Sequence, residues 1–196
     1  MFDKRHIPIF PLNILPLPDE LIPLHIFEDR YKQLLEDIEA NDSIFGIYYA
    51  TSQNEDKMGA IVKMESLLKK YPTGESDIVV KGVDIFILSH YYEHYKNRKY
   101  SGAEVAILEG DSPHEISDEL KAQFMEYKLL THPKSAHETY NIHEMAINLD
   151  LDNSDRLKYV KLLANDKRER FVQSRLKLKR FILQQERKST HKFKFN

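Results

Sequence analysis

Apolar residues in the first 110 positions fall in short runs that are separated by polar breaks, a pattern typical of β-strands. Four of these runs are rich in β-branched and aromatic residues. The strands predicted from them are 43–51, 58–71, 76–94 and 102–110. Pro72 and Gly74 lie between the second and third runs and predict a turn there.

An amphipathic helix is predicted before these strands, over residues 28–42. Its apolar residues recur every three or four positions, at Tyr31, Leu34, Leu35 and Ile38. Glu28 and Asp29 stand at its start, where the helix dipole favours negative charge.

The segment ahead of this helix, residues 6–27, is apolar but contains five prolines. Proline excludes a helix interior and cannot donate a hydrogen bond to a strand ladder. We therefore predict a short strand, a kink and a second short strand, and we do not expect a central strand at the prolines. In PLHIFEDRY, residues 23–31, an extended apolar run changes to a charged helix start.

After Gly110 the apolar residues adopt the period of helices, and Ser117 with Asp118 resembles a helix start. The predicted helices lie within 112–133, 140–151, 153–166 and 167–188. The buried faces predicted for the last two are Leu157, Val160, Leu163 and Ala164, then Phe171, Leu178, Phe181 and Ile182. Strands followed by helices favour the α+β class.

Composition narrows the function classes. The 196 residues are 41% hydrophobic and include no cysteine, so disulfides, thiol nucleophiles and cysteine-ligated zinc are excluded. The N-terminal apolar run is short and broken by Pro8 and Pro11, unlike a signal peptide, and no run approaches the length of a membrane span. We expect a cytoplasmic protein with no membrane partner.

Charge is unevenly distributed. Residues 156–194 hold 14 lysines and arginines against three acidic residues, although the whole chain has a net charge of −2. A basic helix face of this kind is compatible with phosphate contacts. The residues that would make them are Lys167, Arg168, Arg170, Arg175, Lys177, Lys179 and Arg180.

No enzyme motif stands out. The run HYYEH, from His90 to His94, matches a metalloprotease pattern, but it follows a predicted strand, where Glu93 would point away from the two histidines. None of the six glycines precedes a lysine, so the P-loop is absent, and there is no G-x-S-x-G elbow. We predict no catalytic residue, no metal and no cofactor.

The segment from Ile7 to Asp37 resembles the opening of the substrate-binding domain of ATP-dependent Lon proteases. That family has a P-L-F-P-L pattern followed by P-L-H-I-F-E-x-R-Y. The matching residues are Pro8, Phe10, Pro11, Leu12, Pro23, Leu24, His25, Ile26, Phe27, Glu28, Arg30 and Tyr31. Gly82 and Phe86 match a later Gly-x-x-Arg-Phe pattern, where Ile85 replaces the arginine, and Pro18-Asp19 replaces a Pro-Gly.

The resemblance implies an α+β fold, in which a PUA-like pseudo β-barrel with one inserted helix precedes an all-helical C-terminal subdomain. Residues 1–110 would form the barrel and residues 111–196 the helical subdomain. The motif Pro23–Tyr31 would then be mainly structural, with PLHIF a buried strand end and EDRY the first turn of the helix.

The resemblance also implies a function: recognition of unfolded or tagged polypeptides, in a protein that acts as an adaptor for a protease or chaperone in protein quality control. Such recognition needs exposed apolar surface or a strand edge that pairs with a peptide. The candidate binding residues are Ile14, Leu15, Leu17, Leu21 and Ile22. The alternative is RNA binding by the basic C-terminal helices on a PUA-like fold, although we do not expect nucleic acid as a partner.

Lon proteases continue into ATPase and Ser-Lys peptidase modules, which 196 residues cannot also contain. We therefore expect a stand-alone domain that is not catalytic, even though the family is named after a protease.

Overall fold

A computed structural model describes residues 3–41, 43–108, 116–137 and 139–193. Its strands are β1 (Asp3–Leu12), β2 (Leu21–Ile26), β3 (Ile44–Tyr49), β4 (Met58–Lys70), β5 (Ser76–Tyr92) and β6 (Ser101–Leu108). Its helices are α1 (Asp29–Asn41), α2 (Asp118–Thr131), α3 (Ile142–Asn148), α4 (Asn153–Val160) and α5 (Asn165–Phe193). The α+β class is therefore confirmed. Parts of the predicted elements at residues 42, 109–110 and 112–115 lie outside the described residues.

The six strands form one sheet in the order β2-β5-β4-β3-β1-β6, and β6 also pairs with β5. Five strands are thereby joined in a ring, while β2 lies outside it against β5. The predicted pseudo-barrel is therefore a sheet that is partly ring-like and not a complete barrel.

Strand β1 corrects the expectation that its prolines exclude a central strand. It pairs with β6 over residues 3–9 and with β3 over residues 9–12, so the two partners overlap only at Ile9. Pro8 lies in the part paired with β6 and Pro11 in the part paired with β3. Each proline therefore has a strand on one side only, which is the arrangement that tolerates a missing N–H.

Phe86 fills the inside of the ring. It is fully buried, and a Cβ atom on Gly59 or Gly46 would lie 2.3 or 2.8 Å from its ring. A side chain at either glycine would displace the aromatic ring of Phe86, so the two glycines and the phenylalanine are matched in volume. A second core cluster includes the four predicted α1 residues, Tyr31, Leu34, Leu35 and Ile38, which are all buried.

The chain divides into two compact units. The first comprises Met1–Gly110 and Asp152–Val160, and the second comprises Asp111–Leu151 and Lys161–Asn196. The sheet, α1 and α4 belong to the first unit, and α2, α3 and α5 to the second. The division at residue 110 into a barrel and a helical subdomain stays a prediction.

Helix α4 is held within the first unit by polar contacts to the segment that joins β1 to β2. Arg156 donates two hydrogen bonds to the carboxylate of Glu20, at 2.5 and 2.7 Å, and a third to the carbonyl of Leu15 at 3.2 Å. The Glu20 side chain also accepts from the N–H of Leu17. These bonds satisfy a carboxylate and a guanidinium that are both mostly buried.

The second unit consists of helices with well-formed starts. Ser117 caps α2 as predicted, because its side chain accepts from the N–H of Leu120. Asn141 and Glu144 form a capping box at α3. None of the helices in the described part of the chain combines the length and apolar character needed to cross a membrane.

Two predicted helix faces are wrong in part, although Leu157 and Val160 on α4 are buried as predicted. Helix α4 ends at Val160, so Leu163 lies beyond it and is 60% exposed. On α5 the buried stripe is Val172 and Leu176, one turn apart, whereas Leu178, Phe181 and Ile182 are exposed. A 29-residue helix is about 43 Å long and outruns the elements it packs on, so apolar residues in its later turns need not be buried.

Candidate functional site

Strand β2 presents one apolar side to solvent. Leu21, Pro23 and His25 are exposed, whereas Ile22, Leu24 and Ile26 point toward the core. Phe27, the first residue after the strand, is 57% exposed and its ring stacks on that of His25 with a centroid distance of 5.9 Å. We call Leu21, Pro23, His25 and Phe27 the β2 face. It is the candidate functional surface of the first unit.

The five predicted polypeptide-binding residues lie in different environments. Leu15 and Leu17 are fully buried. Ile14 and Ile22 are partly buried and pack against the core cluster of α1. Leu21 is 57% exposed and lies on the β2 face. A surface that contacts polypeptide in this structure can therefore include Leu21, but not Leu15 or Leu17.

The motif that drew attention to this region divides between core and surface. Ile26 is buried, as expected for a strand end, but His25 and Phe27 are exposed because β2 has one side in solvent. Sequence patterns did not single out Phe27 as a surface residue. Its position one step beyond the exposed residues of an alternating strand was the available signal.

Tyr31 and Arg30, the last residues of the motif, differ in burial. Tyr31 is buried against Phe10, with ring centroids 3.9 Å apart, and this burial raises the pKa of its hydroxyl. Arg30 forms an ion pair with Glu28 at 2.7 Å, and this bond raises the pKa of the guanidinium. The carbonyl of Glu28 accepts from Tyr31 and Lys32, which starts α1.

A polar network holds the His25 ring in place. Its Nδ1 lies 2.7 Å from Asp77 Oδ1, and the hydroxyl of Tyr71 donates to Asp77 Oδ2 at 2.8 Å. The bond to His25, followed by that from Tyr71, lowers the pKa of the Asp77 carboxyl. His25 and Asp77 are 52 positions apart in the chain, so no local pattern could have indicated the pair.

Lysines lie on the strands next to the β2 face. In the strand register Lys81 is opposite Leu21, Lys63 is opposite Lys81, and Lys69 is opposite Asp77. Lys81 forms an exposed ion pair with Asp19 at 3.0 Å, and Lys69 lies over the ring of Tyr71 at 4.2 Å. Charges of both signs therefore lie beside the β2 face: these lysines, and the carboxylates of Asp19 and Asp77.

The outer edge of β2 is poorly suited to pairing with another strand. The N–H of Gly82 donates to the carbonyl of Glu20, so Leu21 and Lys81 form a non-hydrogen-bonded pair of the antiparallel ladder. The backbone groups of Leu21, Pro23 and His25 therefore point outward. Pro23, in the middle, has no N–H to offer, which weakens addition of a peptide strand at this edge.

Most of the basic residues proposed for phosphate contacts already have partners within the second unit. Arg168 is buried, Arg170 pairs with Asp166, and Arg175 lies over the Phe171 ring at 5.0 Å. Lys179 bonds the carbonyl of Asp150 at 3.5 Å, and Arg180 pairs with Glu126 at 2.6 Å. Lys167 and Lys177 are exposed on the helix surface.

The HYYEH run ends a strand. His90 belongs to β5, which ends at Tyr92, and His94 lies in the following turn, where its Nδ1 is 3.2 Å from the carbonyl of Arg98. Within the described residues, histidine and carboxylate side chains form no group of three that could hold a metal ion.

Comparisons with known proteins agree with this fold. A family model described as "ATP-dependent protease La (LON) substrate-binding domain" matches residues 6–192. A search of curated proteins found no match. Among solved structures, a Lon N-terminal domain protein from Xanthomonas campestris is 26% identical with a TM-score of 0.65, covering 87% of this chain and 96% of that one.

The N-terminal domain of a Lon protease from the Mycobacterium avium complex has a TM-score of 0.58 at 17% identity, covering 88% of this chain and 98% of that chain, and shows the shared fold. The family model spans nearly the whole chain and includes the β2 face, the Arg30–Glu28 pair and the glycines around Phe86. The chain belongs to the family of the ATP-dependent protease La (LON) substrate-binding domain.

Proposed function

We propose that this chain is a non-catalytic module that binds unfolded or tagged polypeptides through the β2 face. The observation that carries the proposal is the β2 face, where Leu21, Pro23 and Phe27 are exposed apolar side chains and the His25 ring stacks on Phe27, in a family described as substrate-binding. Large apolar side chains that remain exposed on one face of a strand are typical of interaction surfaces. The proposed setting is cytoplasmic, as an adaptor for a protease or chaperone.

The proposed mode of binding is contact with side chains. A polypeptide lying across the β2 face would bury Leu21 and the Phe27 ring. Pro23 interrupts the outer edge of β2, so backbone pairing contributes little. Because apolar contacts are non-directional, such a surface can accept many sequences.

The test is fluorescence anisotropy of a labelled, permanently unfolded polypeptide titrated with the wild type and with the double variant Leu21→Ser/Phe27→Ser. Both side chains are 57% exposed, so the fold should survive their replacement. We expect affinity to fall at least about 10-fold, which corresponds to about 1.4 kcal/mol and is less than the full burial of one such side chain provides.

The matched control is Leu129→Ser, which removes a leucine that is 55% exposed on α2 in the second unit. We expect its affinity to equal that of the wild type. Equal binding by the double variant, or an equal loss in the control, would contradict a site at the β2 face. Thermal melting of all three proteins checks that folding is unchanged.

Titrations at about 50 and about 200 mM salt, with unlabelled RNA as competitor, separate this proposal from RNA binding. Contacts to phosphates weaken steeply with salt, whereas apolar contacts do not. Binding that collapses at the higher salt and yields to RNA would favour the basic residues of α5. The internal partners of Arg170, Arg175 and Arg180 make that outcome the less supported one.

A further inference from the structure

The ring of strands has an open end, where β1, β3 and β5 finish and β4 begins. A cavity of about 480 Å³ lies at this end. Small-molecule sites typically have volumes of roughly 300–1,000 Å³, and the mouths of β-barrels are one of the places where they occur. The described residues that form the wall of the cavity include Pro11, Tyr48, Lys57, Leu88, His90 and Tyr91.

The cavity has an apolar floor and aromatic sides. Leu88 belongs to the buried cluster around Phe86, and Tyr48 is half-buried against the same cluster. Tyr91 is 44% exposed, and Pro11 lies opposite Tyr48 in the pairing of β1 with β3. A ligand in the cavity therefore meets two phenol rings and a proline ring beside the packed core, which suits a flat aromatic group.

A β-bulge in β5 shapes one side of the cavity. The pairing of β5 with β6 passes from Leu88 to His90, so Ser89 is an extra residue on β5. Leu88 and Tyr91 would face opposite sides of a regular strand, yet both border the cavity. Bulges redirect side chains in this way and are over-represented at the rims of barrels and next to active sites.

The loop that joins β3 to β4 is held in place by Asn54. Its buried side chain donates to the carbonyls of Tyr49 and Met58, both at 2.8 Å, and accepts from the N–H of Met58 at 2.9 Å. The carbonyl of Lys57 accepts from the N–H of Leu88 at 2.9 Å, which ties the loop to β5. The backbone of Lys57 is therefore fixed before a ligand binds, so little order is lost on binding.

Lys57 brings an ammonium group to the cavity from a backbone conformation that lysine rarely adopts. Its φ is 53°, a value that Gly, Asn and Asp tolerate better. Residues held in such conformations are concentrated at functional sites. Glu55 and Asp56 precede Lys57 and are exposed, but neither borders the cavity. His90 lies opposite Glu104 in the pairing of β5 with β6, so Lys57 is the wall residue suited to hold an anion.

We propose that this cavity binds a small molecule in which a flat aromatic ring carries an anionic group. Tyr48, Tyr91 and Pro11 would contact the aromatic ring, and Lys57 would hold the anion. Two sources share this chemistry: nucleoside monophosphates and aromatic carboxylic acids. No described residue of the wall belongs to the β2 face, so this binding is independent of the proposed polypeptide site.

The test is a ¹⁵N–¹H NMR titration of the whole chain, following the backbone amides of residues 48–50, 57 and 88–91. Four probes are added as two matched pairs: adenosine 5′-monophosphate with adenosine, and phenylacetate with phenylacetamide. We expect at least one anionic probe to shift these amides saturably. It should bind at least about 10-fold more tightly than its neutral partner, because the neutral molecule lacks the bond between its charge and the ammonium.

The pair that binds identifies the source. Saturable shifts with adenosine 5′-monophosphate alone would assign the site to nucleotides, and shifts with phenylacetate alone would assign it to aromatic acids. Shifts with both would show that the site accepts either class. Equal affinities within every pair that binds, or no saturable shift with any probe, would overturn the proposal.

Lys57→Asn is the decisive variant, because asparagine tolerates positive φ and carries no charge. We expect it to melt at or above the temperature of the wild type and to lose at least about 10-fold in affinity for the anionic probe, but not for its neutral partner. Lys96→Asn is the matched control, since Lys96 also has positive φ, 47°, and lies between β5 and β6 outside the cavity wall. Unchanged affinity in Lys57→Asn, or an equal loss in Lys96→Asn, would overturn the proposal.

Discussion

Glu20 is a carboxylate that the fold removes almost completely from solvent, with a side chain only 9% exposed. Its partner Arg156 is 15% exposed, and the two are joined by two short hydrogen bonds. Removing one member of a buried pair leaves the other charge without compensation. For Glu20→Ala we expect the free energy of unfolding to fall by about 3–5 kcal/mol, measured by urea denaturation.

Two further variants test the cause. Lys4→Ala breaks an ion pair with Glu104 in which the lysine is 65% exposed, and it should cost no more than about 1 kcal/mol. Adding Arg156→Met to Glu20→Ala should restore part of the lost stability, because the unpaired charge is gone. Additive losses in the double variant would show that the pair is not coupled.

Asp19 occupies the position where the resemblance led us to expect glycine, and it has a φ of 68°. Its N–H donates to the carbonyl of Gly82, so the turn is fixed. Glycine accepts this conformation freely, whereas a Cβ atom is disfavoured there. We expect Asp19→Gly to be more stable than Asp19→Ala by about 1 kcal/mol in urea denaturation.

Comparing these two variants cancels the loss of the exposed ion pair to Lys81, since both lack it. Equal stability would mean that the backbone strain is relieved elsewhere.

At the scale of single residues the sequence indicated much that proved correct, including the Ser117 cap and the buried Tyr31, because each depends on near neighbours. It did not indicate the Glu20–Arg156 pair, whose members are 136 positions apart.

The outer edge of β2 shows how one residue sets the behaviour of an element. Pro23 is the outward-pointing residue that cannot donate a hydrogen bond, which protects the edge from pairing with other strands. We expect Pro23→Val to add a donor with strong strand preference and so to promote association of the protein with itself. Light scattering coupled to size exclusion, over a range of concentrations, would detect the change.

Pro72→Ala, in the turn between β4 and β5, is the matched control and should not change the association state. If Pro23→Val behaves like the wild type at every concentration, the proline is not what protects the edge.

The same scale explains which elements could be predicted. Apolar runs and periodicity located strands β3 to β6 and helices α1 to α5, because both are local properties of the chain. Periodicity failed for the buried face of α5, where Leu178, Phe181 and Ile182 follow a helical spacing but are exposed. Which part of a long helix is covered depends on the lengths of its neighbours, and no local pattern contains that information.

At the scale of the whole molecule, the His25–Asp77–Tyr71 network makes the stability of the fold depend on pH. The pKa of Asp77 is lowered in the folded state, so its ionised form stabilises the fold above the ordinary carboxyl range. That contribution should be complete above about pH 4 and should be lost as the pH falls further through the lowered pKa.

We therefore expect the stability difference between the wild type and Asp77→Asn to shrink as the pH falls below about 4. Urea denaturation as a function of pH measures it, with Glu36→Gln on the exposed side of α1 as the control. A difference that persists unchanged to pH 2 would show that the carboxylate charge is not responsible.

At the scale of the whole molecule the sequence predicted the α+β class, and the ring pairing itself was implied only by the family resemblance. Pairing between β1 and β6 joins residues about 100 positions apart, and nothing in the alternation of either strand identifies the other. The candidate surface was predicted in part. Leu21 was chosen from its apolar character, but burial separated it from Leu15 and Leu17.

The ring of strands has a consequence for synthesis. Strand β1 leaves the ribosome before the other five strands, yet its residues 3–9 pair with β6, which ends at Leu108. At translation rates of about 5–20 residues per second, β1 waits on the order of 5–20 s before its partner exists. During that interval Pro8 and Pro11 make β1 a poor partner for strands of other chains, because neither has an N–H to donate. The same prolines that the folded sheet accommodates therefore reduce aggregation of the nascent chain.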